Sequence, residues 1–191
     1  MPERVRAEPG RVLCIYGDSG WGEEVARCKY KTGVFSDALV DAAVSLIRDK
    51  WKPQPFPEWI TAAPSRTHPT LVADFARQLA ERLDIPFVAV IHKQRENQPQ
   101  KEMRNGVQQL RNVLGAFDVA GEKPSGVLQS AAWSAGRFLG HVGEIPKGPV
   151  LLVDDVVDSG WTLTLLAVRL RLRGSGPVYP FALAKASPRG G

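Results

Sequence analysis

Apolar residues along this chain fall into short blocks whose spacing switches between a strand-like and a helix-like period, with turn-rich or charged stretches between them. Arg11-Val-Leu-Cys-Ile-Tyr16 is a short apolar run that ends in Gly17-Asp-Ser-Gly-Trp-Gly22, a stretch expected to be a surface turn. Ser36 reads as an N-cap, and Leu39, Val40, Ala43, Val44, Ile47 and Trp51 recur at the spacing of one helical face. Prolines between Lys52 and Pro57 break that helix. A strand over Trp59–Ala62 follows, running into Pro64-Ser-Arg-Thr-His-Pro69. Leu71, Val72, Phe75, Ala76, Leu79 and Leu83 predict the next helix, with a stop at Asp84-Ile-Pro86.

Phe87–Ile91 and Val150–Val153 are continuous apolar runs, the pattern of strands buried on both faces of a parallel sheet. Between them, His92 to Arg104 is strongly charged and reads as a long flexible loop, followed by a short helix near Gly106–Val113 and then Ala116–Val119. Ala120 to Lys147 is the least patterned part and is expected to be a variable insertion. Val127–Val142 within it fits a helix, although it contains Gly136 and Gly140. Thr162–Leu172 predicts the last helix and Val178–Leu183 the last strand, with Pro180 pointing to a place near an edge. The alternation predicts one α/β domain over residues 11–186, with a central, mostly parallel sheet and helices on both faces. Residues 1–10 are expected to form a disordered leader and residues 187–191 a frayed tail.

Composition narrows the picture without changing it. At 191 residues, 43% hydrophobic and 24% charged, the chain can bury one good core. It contains no run of the ~20 apolar residues that span a bilayer, and Met1–Gly10 lacks the apolar block of a signal peptide, so a cytoplasmic protein with no membrane partner is expected. Cys14 and Cys28 have neither a metal spacing nor a disulfide framework. His68, His92 and His141 are too scattered to suggest a zinc site. The Gly17–Gly22 stretch lacks the Gly-Lys-Ser/Thr ending of a P-loop, which excludes a helicase motor within the chain. A net charge of +5 favours an anionic partner, either a phosphorylated small molecule, a nucleic acid, or both.

The stretch that carries chemistry is Val150-Leu-Leu-Val-Asp-Asp-Val-Val-Asp-Ser-Gly-Trp-Thr162. Its apolar half delivers Asp154 and Asp155 to the carboxyl end of a central strand, where open α/β sheets bind ligands. Carboxylates there can accept hydrogen bonds from vicinal ribose hydroxyls, directly or through a magnesium ion. Asp158, Ser159, Gly160, Trp161 and Thr162 then form a turn that opens a helix. The N–H groups and positive dipole end of such a helix make a phosphate cradle, and the hydroxyls of Ser159 and Thr162 add donors.

This stretch resembles the phosphoribosyl-diphosphate (PRPP) signature of type I phosphoribosyltransferases. The resemblance implies that Asp154 and Asp155 hold the ribose hydroxyls, with Mg2+ accompanying PRPP and held by the pair directly or indirectly. It implies that Asp158 to Thr162 hold the 5'-phosphate, and that Asp158 is the candidate catalytic group that handles a proton of the acceptor. Trp161 departs from the family, which usually carries a smaller or basic residue there. Further likeness extends to the ComF family and, more closely, to the C-terminal domain of some bacterial RecQ-type helicases. Lys29-Tyr30-Lys31-Thr32-Gly33 is similar to their N-terminal Lys-Tyr-x-x-Gly signal, and Pro99–Met103, Arg111-Asn112 and Gly115–Phe117 follow their flexible-loop pattern. Pro64, Ser65 and Arg66 match the segment that binds pyrophosphate in the family, and Lys93, Arg95 and Lys101 are lid-like cations that would reach the same group.

Three roles follow from the resemblance. One is an accessory domain that binds PRPP or a 5'-phosphorylated nucleotide in DNA recombination or repair, with DNA or a helicase module as partner. Another is a free-standing Mg-dependent phosphoribosyltransferase acting on a nitrogen acceptor, or a ComF-like competence protein. The blandest is a protein-interaction domain with a dead site, against which the complete Asp154-Asp155 and Asp158–Thr162 set argues.

Overall fold

A computed structural model describes residues 5–65, 67–93, 117–119 and 145–187. Four strands form a parallel sheet in the order β1-β6-β5-β2, where β1 is Arg11–Ile15, β2 Trp59–Ala62, β5 Val150–Val157 and β6 Val178–Lys185. A two-stranded antiparallel ribbon, β3 (Ile91–Lys93) and β4 (Phe117–Val119), stands apart from it. Among the described residues the helices are α1 (Trp21–Arg27), α2 (Asp37–Ser45), α3 (Leu71–Leu83) and α4 (Trp161–Leu172). The first two continue as π-helical turns over Cys28–Thr32 and Leu46–Trp51.

Alternation along β5 assigns its apolar residues to two cores. Leu151 and Val153 face one side, where Val25, Leu39, Ala43, Phe75 and Leu79 of α1–α3 and Ile47 of the turn after α2 cover them. Val150 and Leu152 face the other, against Leu163, Leu166, Ala167 and Leu170 of α4. The sheet is therefore parallel and covered by helices on both faces, as the near-continuous apolar runs require. Arg82 fastens α3 to α2 through Asp37 and Asp41, at 2.5 and 2.9 Å. The guanidinium of Arg169 donates to the Phe117 carbonyl and ties the ribbon onto α4.

Several local readings of the sequence change. Gly17–Gly22 is a turn only as far as Gly20, because Trp21 and Gly22 already belong to α1. Ser36 occupies the N-cap position in extended backbone, but the start of α2 is held by its carbonyl, which accepts from Leu39 and Val40, and not by its side chain. Phe87–Ile91 is not a full strand. Phe87 alone bridges Ile60, and Ala89 is exposed before the chain turns into β3. Pro180 lies in an interior strand, tolerated because the ladder to β1 begins one residue later, at Phe181 paired with Arg11. Glu8 donates its N–H to Val178, so the last residues of the expected leader run beside β6.

Gly22 marks the tightest approach in the N-terminal half, since a Cβ there would sit 2.0 Å from the Ile15 carbonyl oxygen. That oxygen is backbone and cannot swing aside, so α1 has to move away from β1. Gly22→Ala is expected to lower unfolding free energy by about 2 kcal/mol, within the usual range for overpacking. Urea denaturation measures this, and an unchanged midpoint would show that α1 is loosely placed.

Candidate functional site

The site lies where β5 outruns its neighbour. β2 ends at Ala62, paired with Val153, while β5 continues alongside β6 with Asp154 opposite Ala182 and Val156 opposite Ala184. The carboxylates thus emerge beyond the end of β2, with β6 still supporting the backbone beneath them. The Ala63 N–H bonds the Val153 carbonyl, which starts the Pro64-Ser65 segment directly beside Asp154. Ser65 Oγ accepts the His68 N–H at 3.2 Å and so shapes the turn after β2.

The two acids differ sharply. Asp155 is 5% exposed, and its Oδ1 accepts the Val156 N–H at 2.6 Å. Its Oδ2 lies 2.7 Å from the Lys29 Nζ. Asp154 is half-buried, and its Oδ1 accepts the Asp155 N–H at 2.8 Å. Burial, followed by the adjacent Asp155 charge, pushes the Asp154 carboxyl well above the usual carboxylate range, with the Asp155 N–H and Lys29 pulling the other way. Lys29 is brought to Asp155 by the π-helical turn after α1, whose close is the Gly33 N–H bonded to the Cys28 carbonyl.

Around this pair stand Tyr16, just past β1, and Tyr30, whose ring meets His68 edge-on at 5.8 Å. Burial first, then the Tyr30 hydroxyl and the Asp155 charge, push the Tyr16 phenol up to about 12. Sequence reasoning picked out Lys29 and Tyr30 as part of a signature without assigning them to the site, and it missed Tyr16. The signal available was the position of Tyr16 at the end of a short apolar run, just before a turn-rich stretch.

The turn expected to cradle a phosphate follows immediately. Asp158 and Ser159 are exposed, and Gly160 adopts φ 79°, the left-handed conformation that glycine takes freely, at the N-cap of α4. The first helical bond of α4 runs from the Thr164 N–H to the Gly160 carbonyl at 2.9 Å. The N–H groups before it, those of Trp161, Thr162 and Leu163, have no carbonyl within the helix to bond. Trp161 and Thr162 are half-buried in this first turn. A cleft of about 1070 Å³ meets the loop at Val157 and Gly160 and runs between α4 and β1, with Arg6 and Arg11 on its walls.

Asp154, Asp155 and Asp158–Thr162 are therefore contiguous on one strand–loop–helix unit, with Pro64 and Ser65 leaving beside it. Lys93 is the last residue of β3. Arg66, Arg95 and Lys101 lie outside the described residues, as do most of the expected flexible loop and insertion. The resemblance implies magnesium, but a dication held directly by both carboxylates does not fit these residues, because the Lys29 ammonium already stands against Asp155. Among the described residues no three His, Cys, Asp or Glu side chains are grouped to hold a metal. No helix among them is long and apolar enough to cross a membrane.

Comparison with known proteins gives the following. The family described as phosphoribosyl transferase domain matches residues 73–177. No curated protein matches the chain. Among solved structures, the adenine phosphoribosyltransferase of Trypanosoma brucei, in complex with AMP, pyrophosphate and ribose-5-phosphate, is similar with 15% identity and a TM-score of 0.46, over 88% of this chain and 75% of that one. The adenine phosphoribosyltransferase of Leishmania tarentolae is similar with 15% identity and a TM-score of 0.39, over 78% and 69% of the two chains. That of Leishmania donovani gives 16% and 0.39, over 79% and 66%.

Proposed function

The chain belongs to the phosphoribosyl transferase domain family, and on that premise we propose that the β5–α4 unit binds the 5-phosphoribosyl group of PRPP or of a 5'-phosphorylated nucleotide. The observation that carries this reading is the continuity of the acid pair with the cradle. Asp154 sits on the strand that leads into the left-handed Gly160 and the N–H groups opening α4. A ribose hydroxyl donates to Asp154, and the 5'-phosphate receives N–H bonds and the positive end of the helix dipole. Hydroxyls of Ser159 and Thr162 stand at the same turn. Asp158, exposed at the head of the loop, is the group positioned to take a proton if a nitrogen acceptor is used.

Two readings of the biological role rest on this site. A 5'-phosphorylated nucleic-acid end fits the +5 charge and the likeness of Lys29–Gly33 and Asp158–Thr162 to the C-terminal domain of RecQ-type helicases. Transfer of phosphoribose to a nitrogen acceptor fits the complete acid and cradle set, with magnesium arriving as the partner of PRPP. Calorimetry with PRPP, ribose 5-phosphate, AMP and a 5'-phosphorylated oligonucleotide, each with and without magnesium, separates them. PRPP and ribose 5-phosphate are expected to bind in either case. Tight binding of the oligonucleotide that is lost on removing its 5'-phosphate supports the nucleic-acid role. Failure of every 5'-phosphorylated ligand to bind would overturn the site itself.

A further inference from the structure

Lys29 lies 126 positions before Asp154's neighbour in the sequence and well before the family match at 73–177, yet its ammonium is part of the acid pair. Nζ is 2.7 Å from Asp155 Oδ2, with the two side chains only 14% and 7% exposed. The other oxygen of Asp155 is engaged by the Val156 N–H, and Oδ1 of Asp154 by the Asp155 N–H. What these contacts leave for a ligand is the second oxygen of Asp154. The pair therefore divides its work, with Asp155 accepting the lysine and Asp154 accepting the sugar. A dication approaching the same carboxylates would meet a fixed positive charge at contact distance from one of them, in a partly desolvated place where like charges repel strongly.

We propose that Lys29 is the built-in counter-cation of this site, a positioning residue that holds Asp155 and stands where a divalent cation would otherwise bind, so that the sugar is held without metal. This rests on the phosphoribosyl reading above. The lysine needs no metal supply and holds Asp155 beside Asp154 at the end of β5. Its ammonium cannot accept a ligand lone pair as a metal does, so any magnesium dependence must enter through the pyrophosphate of PRPP and not through the acids.

The experiment has two arms. In the first, ribose 5-phosphate, which carries no pyrophosphate, is titrated into the wild-type protein in magnesium and in EDTA. Affinities agreeing within about twofold are expected, and a tenfold or greater gain with magnesium would overturn the proposal. In the second, Mn2+ alone is titrated and followed by loss of its free-ion EPR signal and by broadening of the Asp154, Asp155 and Val156 amide resonances. Wild type and Lys29→Arg are expected to show no saturable Mn2+ site there, while Lys29→Gln gains one. Broadening of those amides in the wild type, or a folded Lys29→Gln that gains nothing, would overturn the proposal. Removing one partner of a buried ion pair can unfold a protein. Should Lys29→Gln fail to fold, the wild-type amide broadening and the Lys29→Arg comparison decide the question. Failure of ribose 5-phosphate to bind at all would sink the phosphoribosyl reading, while the Mn2+ arm still judges Lys29.

Discussion

Asp154→Asn is expected to make the protein more stable and a worse binder at once. The fold holds the Asp154 carboxyl well above the usual range, first through burial and then through the Asp155 charge. The folded chain therefore keeps its proton over a pH range in which the unfolded chain, with an ordinary value of about 4, has released it. Stability from this group is fully present below the unfolded value and is lost as pH rises through the folded one. Asparagine mimics the neutral acid at every pH. The variant should melt above the wild type at pH 7 to 8, and the two curves should converge near pH 4. Above the folded value, where the wild-type carboxyl is ionised, affinity for ribose 5-phosphate should fall at least tenfold, about 1.4 kcal/mol or more, because the amide offers the sugar hydroxyls a weaker, uncharged acceptor. Differential scanning calorimetry across pH, paired with titration of the ligand, checks both halves. A variant that is less stable at neutral pH would mean that Asp154 is ionised and well compensated in the fold.

The second large effect is expected at Gly160. Its φ of 79° is strained for any residue with a Cβ, and the nearest atom that Cβ would meet is Val157 Cγ2 at 4.0 Å, so space is not the obstacle. The cost is conformational, on the order of 1 kcal/mol in the left-handed region. Gly160→Val, β-branched and poorly suited to positive φ, should relax by rotating the peptide groups on either side. That rotation turns the first N–H groups of α4 away from the anion. Binding of inorganic phosphate and of ribose 5-phosphate should fall by roughly a hundredfold, near 2.7 kcal/mol, while the melting temperature drops by only a few degrees. Retained phosphate binding in the valine variant would place the anion elsewhere, the Arg6 and Arg11 cleft being the first place to look.

The parts of this site legible in the sequence are those built from contiguous residues. Val150–Val153 announced a strand buried on both faces, and both cores do converge on it. Asp158–Thr162 announced a turn into a helix, and Gly160 is indeed left-handed there. Partnerships across the fold were not legible. Nothing local to Lys29 says that a π-helical turn after α1 will carry it to Asp155, because the encounter depends on where α1 packs against the sheet. The same reason explains the smaller misses. α1 is short and contains a glycine, so its apolar face is Val25 and little else until Cys28 is added. Phe87–Ile91 has strand composition, but Pro86 and the departure into the ribbon leave it a single bridge to Ile60. Pro180 was placed near an edge because proline lacks an N–H, whereas its position is set by where β1 happens to start.

The tie between Arg169 and Phe117 reaches further than the packing of the ribbon. In the ribbon Ile91 pairs with Val119 and Lys93 with Phe117, so everything between Lys93 and Phe117 leaves and returns at neighbouring points. The Phe117 foot stands on α4, the helix whose first turn is the proposed anion cradle. From Trp161 to Arg169 the helix rises by about 12 Å, at 1.5 Å per residue. One helix therefore joins the anchor of the ribbon to the proposed anion site. A pull on either end is transmitted as a displacement of the other, so cross-linking the ribbon to α4 should leave phosphate binding intact, and detaching it through Arg169→Ala should alter it.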